Sequence, residues 1–146
     1  MTRLKSEVPQ IKSDGSCNLH HLSNTIQHAV KAFDRDIKPA LVDTYYDLGG
    51  AAGKGLKKQK EFMRTCKDVC GFEPCPILEF IETRWTSLGT CIEPILYNWI
   101  GLVKYYGSLK SPTPRQKNLV KFYSDRCDIT RIKLKFVLAT VSEYTK

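Results

Sequence analysis

With 146 residues, 42% hydrophobic and 26% charged, the chain is long enough for one packed domain and too apolar to be a disordered segment. Its formal charge of +8 favours a polyanionic partner, and no run of 18 apolar residues exists to cross a membrane. The opening Met1–Glu7 lacks the apolar stretch of a secretory leader, which points to an intracellular chain whose six cysteines stay reduced.

Residues 1–16 are polar and leave room for at most one short strand, at Val8-Pro9-Gln10-Ile11, before the Asp14-Gly15 turn signal. From His20 the spacing of Leu22, Ile26, Val30 and Phe33 predicts an amphipathic helix. A second helix is expected from Asp36 to Leu48, with Asp36 as its cap, Pro39 in its first turn, and Ile37, Leu41, Tyr45 and Leu48 on one face. The glycine-rich stretch 49–55 breaks it. That stretch does not fit a phosphate loop, because Gly55 stands where Ser or Thr should follow Lys54.

Leu56 to Val69 reads as a basic helix with Phe62, Met63, Cys66 and Val69 inward. Residues 71–85 form a connection broken by Pro74 and Pro76. Leu88 to Tyr106 carries the strongest helical pattern, capped by Thr86 or Ser87; Pro94 inside it predicts a kink or two abutting helices. A further helix is expected from Pro114 to about Arg126. The last, Asp128 to Tyr144, is apolar on most sides, so it should be buried in a larger unit or under a partner. The architecture is therefore mostly α, with about six helices.

The positive charge is uneven. Six Lys/Arg lie between Lys54 and Lys67 against one acid, and nine lie between Lys104 and Lys135 against two. The stretch Asp68–Glu93 reverses the sign, with five acids and only Arg84. Lys57, Lys58, Lys60 and Arg64 on one helix, and Lys117 and Lys121 on another, are the expected phosphate contacts; solvated helix faces are the plainer use of the same charges. Arg84-Trp85 stands before a helix N-terminus, pairing a guanidinium that grips phosphate with an indole that stacks on a base. A Trp there also serves as a packing anchor, with Arg84 paired to a nearby Glu.

Cys17-Asn18-Leu19-His20 has metal-ligand spacing, but the gaps among Cys66, Cys70 and Cys75 match no tight zinc pattern, and no metal or cofactor is expected. No catalytic residue is assigned either, since no nucleophile has a recognisable base and oxyanion hole.

Three pieces in this order resemble the ribonuclease H-like transposases of the hAT superfamily and their domesticated relatives. They are Leu4-Lys5-x-Glu7-Val8-Pro9 with Cys17-Asn18-Leu19-His20-His21-Leu22, then Glu82-Thr83-Arg84-Trp85-Thr86-Ser87-Leu88, then Ile95-Leu96-x-x-Trp99 with Lys104-Tyr105-Tyr106. The resemblance implies that residues 1–34 are the end of a ribonuclease H-like core and 35–146 part of the helical insertion that follows it. Cys17 and His20 match the family's Cys-x-x-His, and Arg84 and Trp85 match an insertion motif that handles the transposon end. The family's three metal-binding acids fall outside the matched stretch. The resemblance thus implies a nuclear, transposase-derived fragment that does not cleave DNA by itself and binds DNA, a protein or the missing parts of a longer chain. The alternative is a helical protein-interaction module with no nucleic-acid role.

Overall fold

The computed structural model describes residues 37–49, 56–81, 86–124 and 127–145, together with His21, Asn24 and His28, which are helical and exposed. The helix expected from His20, the N-terminal strand, the proposed core segment 1–34 and the glycine-rich stretch beyond Gly49 otherwise lie outside the described residues. Six α-helices are present among the described residues, and no strand. They are α1 (Ile37–Thr44), α2 (Leu56–Arg64), α3 (Thr86–Tyr97), α4 (Trp99–Gly107), α5 (Pro114–Ser124) and α6 (Cys127–Thr145). No helix among them is long and apolar enough to cross a membrane.

Two of these helices end in a wider π-helical turn, Tyr45–Gly49 after α1 and Thr65–Val69 after α2. In the second, the Cys70 N–H donates to the Thr65 carbonyl across five residues, at 3.2 Å. Gly71 then turns the chain at φ 73°, a left-handed conformation that side chains resist. The wide turn changes which residues face inward. Phe62 and Cys66 are buried as their spacing predicts, but Val69, expected inside, is 67% exposed. An ordinary helical period carried through Thr65 overestimates the rotation per residue, so Val69 lands outside.

The pattern from Leu88 to Tyr106 forms two abutting helices, with Asn98 between them, four residues after Pro94. Asn98 donates its N–H to the Pro94 carbonyl and accepts from Leu102 N–H, both at 2.9 Å, so the chain continues in nearly the same direction. The stripe Leu88, Ile92, Ile95, Trp99, Leu102 and Tyr106 is buried along both. Each such aliphatic side chain contributes about 1.5–3 kcal/mol relative to exposure.

Helix α4 is central, packing against α2 on one side and α5 on another, while α3 pairs with α6 and α1 leans on α5. Around α4 the aromatic rings interlock. Tyr106 stacks on Tyr123 with centroids 5.2 Å apart, and Trp99 meets the same ring edge-on at 5.4 Å.

The connection 71–81 has no regular structure, yet it is pinned along α3 by side chains of that helix and of the junction after it. Ser87 Oγ donates to the Ile81 carbonyl and accepts from its N–H, at 2.9 and 3.3 Å. Cys91 Sγ donates to the Glu79 carbonyl at 3.1 Å. Asn98 bonds both backbone groups of Cys75. Positions 87, 91 and 98 recur on one helix face, so the strap runs antiparallel to the helix. Ser87 is thus a clamp on the strap, whereas the sequence suggests a helix cap there; the helix itself begins one residue earlier.

Among the described residues, helix α6 is covered on one side only within this chain. Its inner stripe Thr130, Leu134, Val137 and Val141 is buried, but Ile132 is 65% and Phe136 52% exposed. One helix has too much apolar perimeter for a single neighbouring layer to cover.

Candidate functional site

The two basic helices meet at a buried carboxylate. Asp47, in the wide turn after α1, has a side chain only 1% exposed. Lys58, in the first turn of α2, donates to its Oδ1 at 2.8 Å. Tyr106 Oη donates to Oδ2 at 2.9 Å, and Gln116 Nε2, in the first turn of α5, donates to the same oxygen at 3.3 Å. A carboxylate withdrawn from water is costly unless its lone pairs are met, and three donors from three helices meet them here. The first turns of α2 and α5 are therefore held to one point.

Gln116 owes its position to local sequence. Thr113-Pro114-Arg115-Gln116 forms a capping box: Thr113 Oγ1 accepts from the Gln116 N–H at 3.3 Å, and Gln116 Oε1 accepts from the Thr113 N–H at 3.0 Å. Pro114 occupies the first helical position, where a missing N–H costs nothing. With its oxygen engaged by the cap, the amide nitrogen of Gln116 points to Asp47. Burial, with the negative charge of Asp47 beside it, pushes the Tyr106 phenol well above its ordinary range, so it remains a donor.

From this node the basic faces run outward. Lys57, Lys60 and Arg64 are exposed at i, i+3 and i+7 on α2, opposite the buried Phe62. Lys117 and Lys121 are exposed at i and i+4 on α5. Lys58 departs from the expected set: its ammonium is taken up by Asp47 and is not presented to a ligand. Arg115 is also engaged, 3.6 Å from Asp43 and over the Tyr46 ring at 5.4 Å. The structure thus brings two of the six expected lysines and arginines on α2 and α5, Lys57 and Lys117, next to residues that share Asp47. Arg84, Trp85, Cys17 and His20 lie outside the described residues.

Three of the described thiols, Cys66, Cys75 and Cys91, lie where burial disfavours the thiolate. Cys66 is buried against Gly101, and burial, followed by the nearby Cys70 and Cys75, raises its thiol to about 11. Burial also raises Cys75 and Cys91. Among the described residues no three His, Cys, Asp or Glu side chains are arranged to hold a metal ion. A cleft of about 100 Å³ lies between α2 and the strap, lined by Leu48, Gln59, Phe62, Met63 and residues 74–77. It is smaller than pockets that enclose a cofactor.

Sequence reading missed Asp47 and Gln116. The capping box was legible as Thr-x-x-Gln after a proline-containing loop; nothing local marks Asp47, whose partners are 11, 59 and 69 residues away. Comparison with known proteins adds no identity: no family model, no curated protein and no solved structure matches the chain.

Proposed function

We propose that this chain is a helical nucleic-acid-binding remnant of an hAT-type transposase, acting in the nucleus and without cleavage activity of its own. The observation that carries the binding half is the exposed row Lys57, Lys60 and Arg64 on α2, joined through Asp47 to α5 with its exposed Lys117 and Lys121. Cations fixed on rigid helices lose less freedom on meeting a phosphate backbone than cations on loops. The transposase half rests on the ordered motifs around Cys17–His20, Arg84–Trp85 and Trp99.

The test is the affinity of the full chain for double- and single-stranded DNA across salt concentrations. Five phosphate contacts on duplex DNA give a slope of about −4 to −5 in log affinity against log salt. Changing Lys57, Lys60 and Arg64 together to Gln lowers the slope by about 2–3. Absence of binding at low salt overturns the reading. Magnesium- or manganese-dependent nicking abolished by a single Asp or Glu substitution overturns the claim that the chain does not cleave.

A second reading, a protein-interaction module, is favoured by the outer face of α6, where Ile129, Ile132 and Phe136 are about half exposed or more. Binding to a protein partner that is lost on Ile132→Glu, with DNA affinity absent, would establish it.

A further inference from the structure

The loop between α4 and α5 reads Leu109-Lys110-Ser111-Pro112-Thr113-Pro114, two hydroxyl residues each followed by proline. A residue before proline is disfavoured in the helical region, and the chain here bends at Lys110 and Ser111 and continues without regular structure to Thr113, between two packed helices. Ser111 and Thr113 are both exposed. Their hydroxyls differ in what they already do. Thr113 Oγ1 is engaged in the capping box of α5, accepting from the Gln116 N–H. Ser111 makes no hydrogen bond among the described residues and lies outside every helix. An exposed serine outside any helix, followed by a proline that has no N–H to satisfy, is the form in which a proline-directed kinase takes its substrate.

We propose that Ser111 is a phosphorylation site for a proline-directed serine/threonine kinase, and that its phosphate weakens nucleic-acid binding by the α5 basic face. In the transfer, the Ser111 oxygen bonds to the γ-phosphorus of ATP, and the bond from that phosphorus to the β–γ bridging oxygen breaks. ADP leaves, and the hydroxyl proton passes to a base of the kinase. The product carries about −1.5 to −2 charges at neutral pH. Lys110 is its neighbour, and Arg115 and Lys117 follow in the first turn of α5, all exposed. The phosphate therefore neutralises charge where the proposed polyanion contacts start, and it competes with Asp43 for Arg115. Thr113 is the poorer acceptor, because phosphorylating it requires opening the cap that also orients Gln116 toward Asp47.

The second half of the proposal rests on the nucleic-acid reading; the first does not. The experiment treats the full chain with a purified proline-directed kinase and magnesium ATP, and locates phosphate by peptide mass spectrometry. One phosphate is expected, on Ser111. It should be lost in Ser111→Ala and in Pro112→Ala, and retained in Thr113→Asn, since Asn also caps a helix. No incorporation, incorporation on Thr113 in place of Ser111, or label persisting in Ser111→Ala overturns the site. Affinity for duplex DNA at 0.15 M salt is then compared before and after modification. Loss of two phosphate contacts, at about fivefold each, predicts binding weaker by about 25-fold. Unchanged affinity overturns the regulatory half alone. If the unmodified chain does not bind DNA, the nucleic-acid reading and the regulatory half fall together, and the mass spectrum alone decides the site.

Discussion

The carboxamide of Asn98 exchanges two hydrogen bonds with the backbone of Cys75: its Nδ2 donates to the carbonyl at 2.8 Å, and its Oδ1 accepts from the N–H at 3.0 Å. Asn98 is fully buried, so one side chain stands in for the missing strand partner of an extended segment. Asn98→Ala leaves both backbone groups without these partners and should cost about 2–4 kcal/mol. Thermal melting reads the loss, and amide exchange at Cys75 should quicken relative to that in α4. Exchange unchanged at Cys75 would show that the clamp does not hold the strap.

The Asp47–Lys58 pair is unequal, since the carboxylate is 1% and the ammonium side chain 38% exposed. Removing the exposed partner is therefore the harsher change. Lys58→Met strands a buried anion with two neutral donors and should destabilise by about 2–4 kcal/mol. Asp47→Asn frees Lys58 to swing into water and should cost less, about 1–2 kcal/mol. Chemical denaturation of the two variants tests the order; the reverse order would mean that Asp47 gains water on losing Lys58.

Gly101 faces the Cys66 sulfur and Phe72. An added methyl would overlap that sulfur and lie 3.2 Å from Phe72 Cζ. Gly101→Ala should therefore destabilise by about 1–3 kcal/mol through overpacking. Pairing it with Cys66→Ala, which vacates the contested space, should recover part of the loss. Strict additivity of the two substitutions would place the strain elsewhere.

Burial pushes Tyr105, Tyr106 and Tyr123 above the ordinary phenol value of 10.0, with the charge of Asp47 adding to the first two. Unfolded, these phenols release protons near that value; folded, they keep them. Above it the folded form binds more protons, so the stability present at lower pH is lost as pH rises through the folded values. Melting temperature should fall from about pH 10 upward. Tyr105, whose buried hydroxyl has no hydrogen-bond partner among the described residues, allows a clean check. Tyr105→Phe should leave stability at pH 8 within about 1 kcal/mol and make the alkaline fall shallower. A fall of unchanged steepness would mean that Tyr105 reaches water.

The sequence determined the helices and most of their buried faces. Leu88, Ile92, Ile95, Trp99, Leu102 and Tyr106 repeat with the helical period, and a repeat of that length has one way to be buried. Pro94 announced the break between α3 and α4 because a residue without an N–H interrupts the helical ladder wherever the fold places it. The exposed lysines of α2 and α5 were likewise fixed by their position opposite apolar residues.

Tertiary structure decided the rest. Lys58 and Lys57 are alike in sequence, and only the approach of Asp47 from another segment gives one of them a carboxylate partner. Val69 follows the inward period, and the widened turn Thr65–Val69 turns it out. Ser87, Cys91 and Asn98 become clamps because the strap lies along their face. Periodicity within a helix reports only that helix's own geometry; which polar groups must find partners depends on distant segments brought together when the core closes.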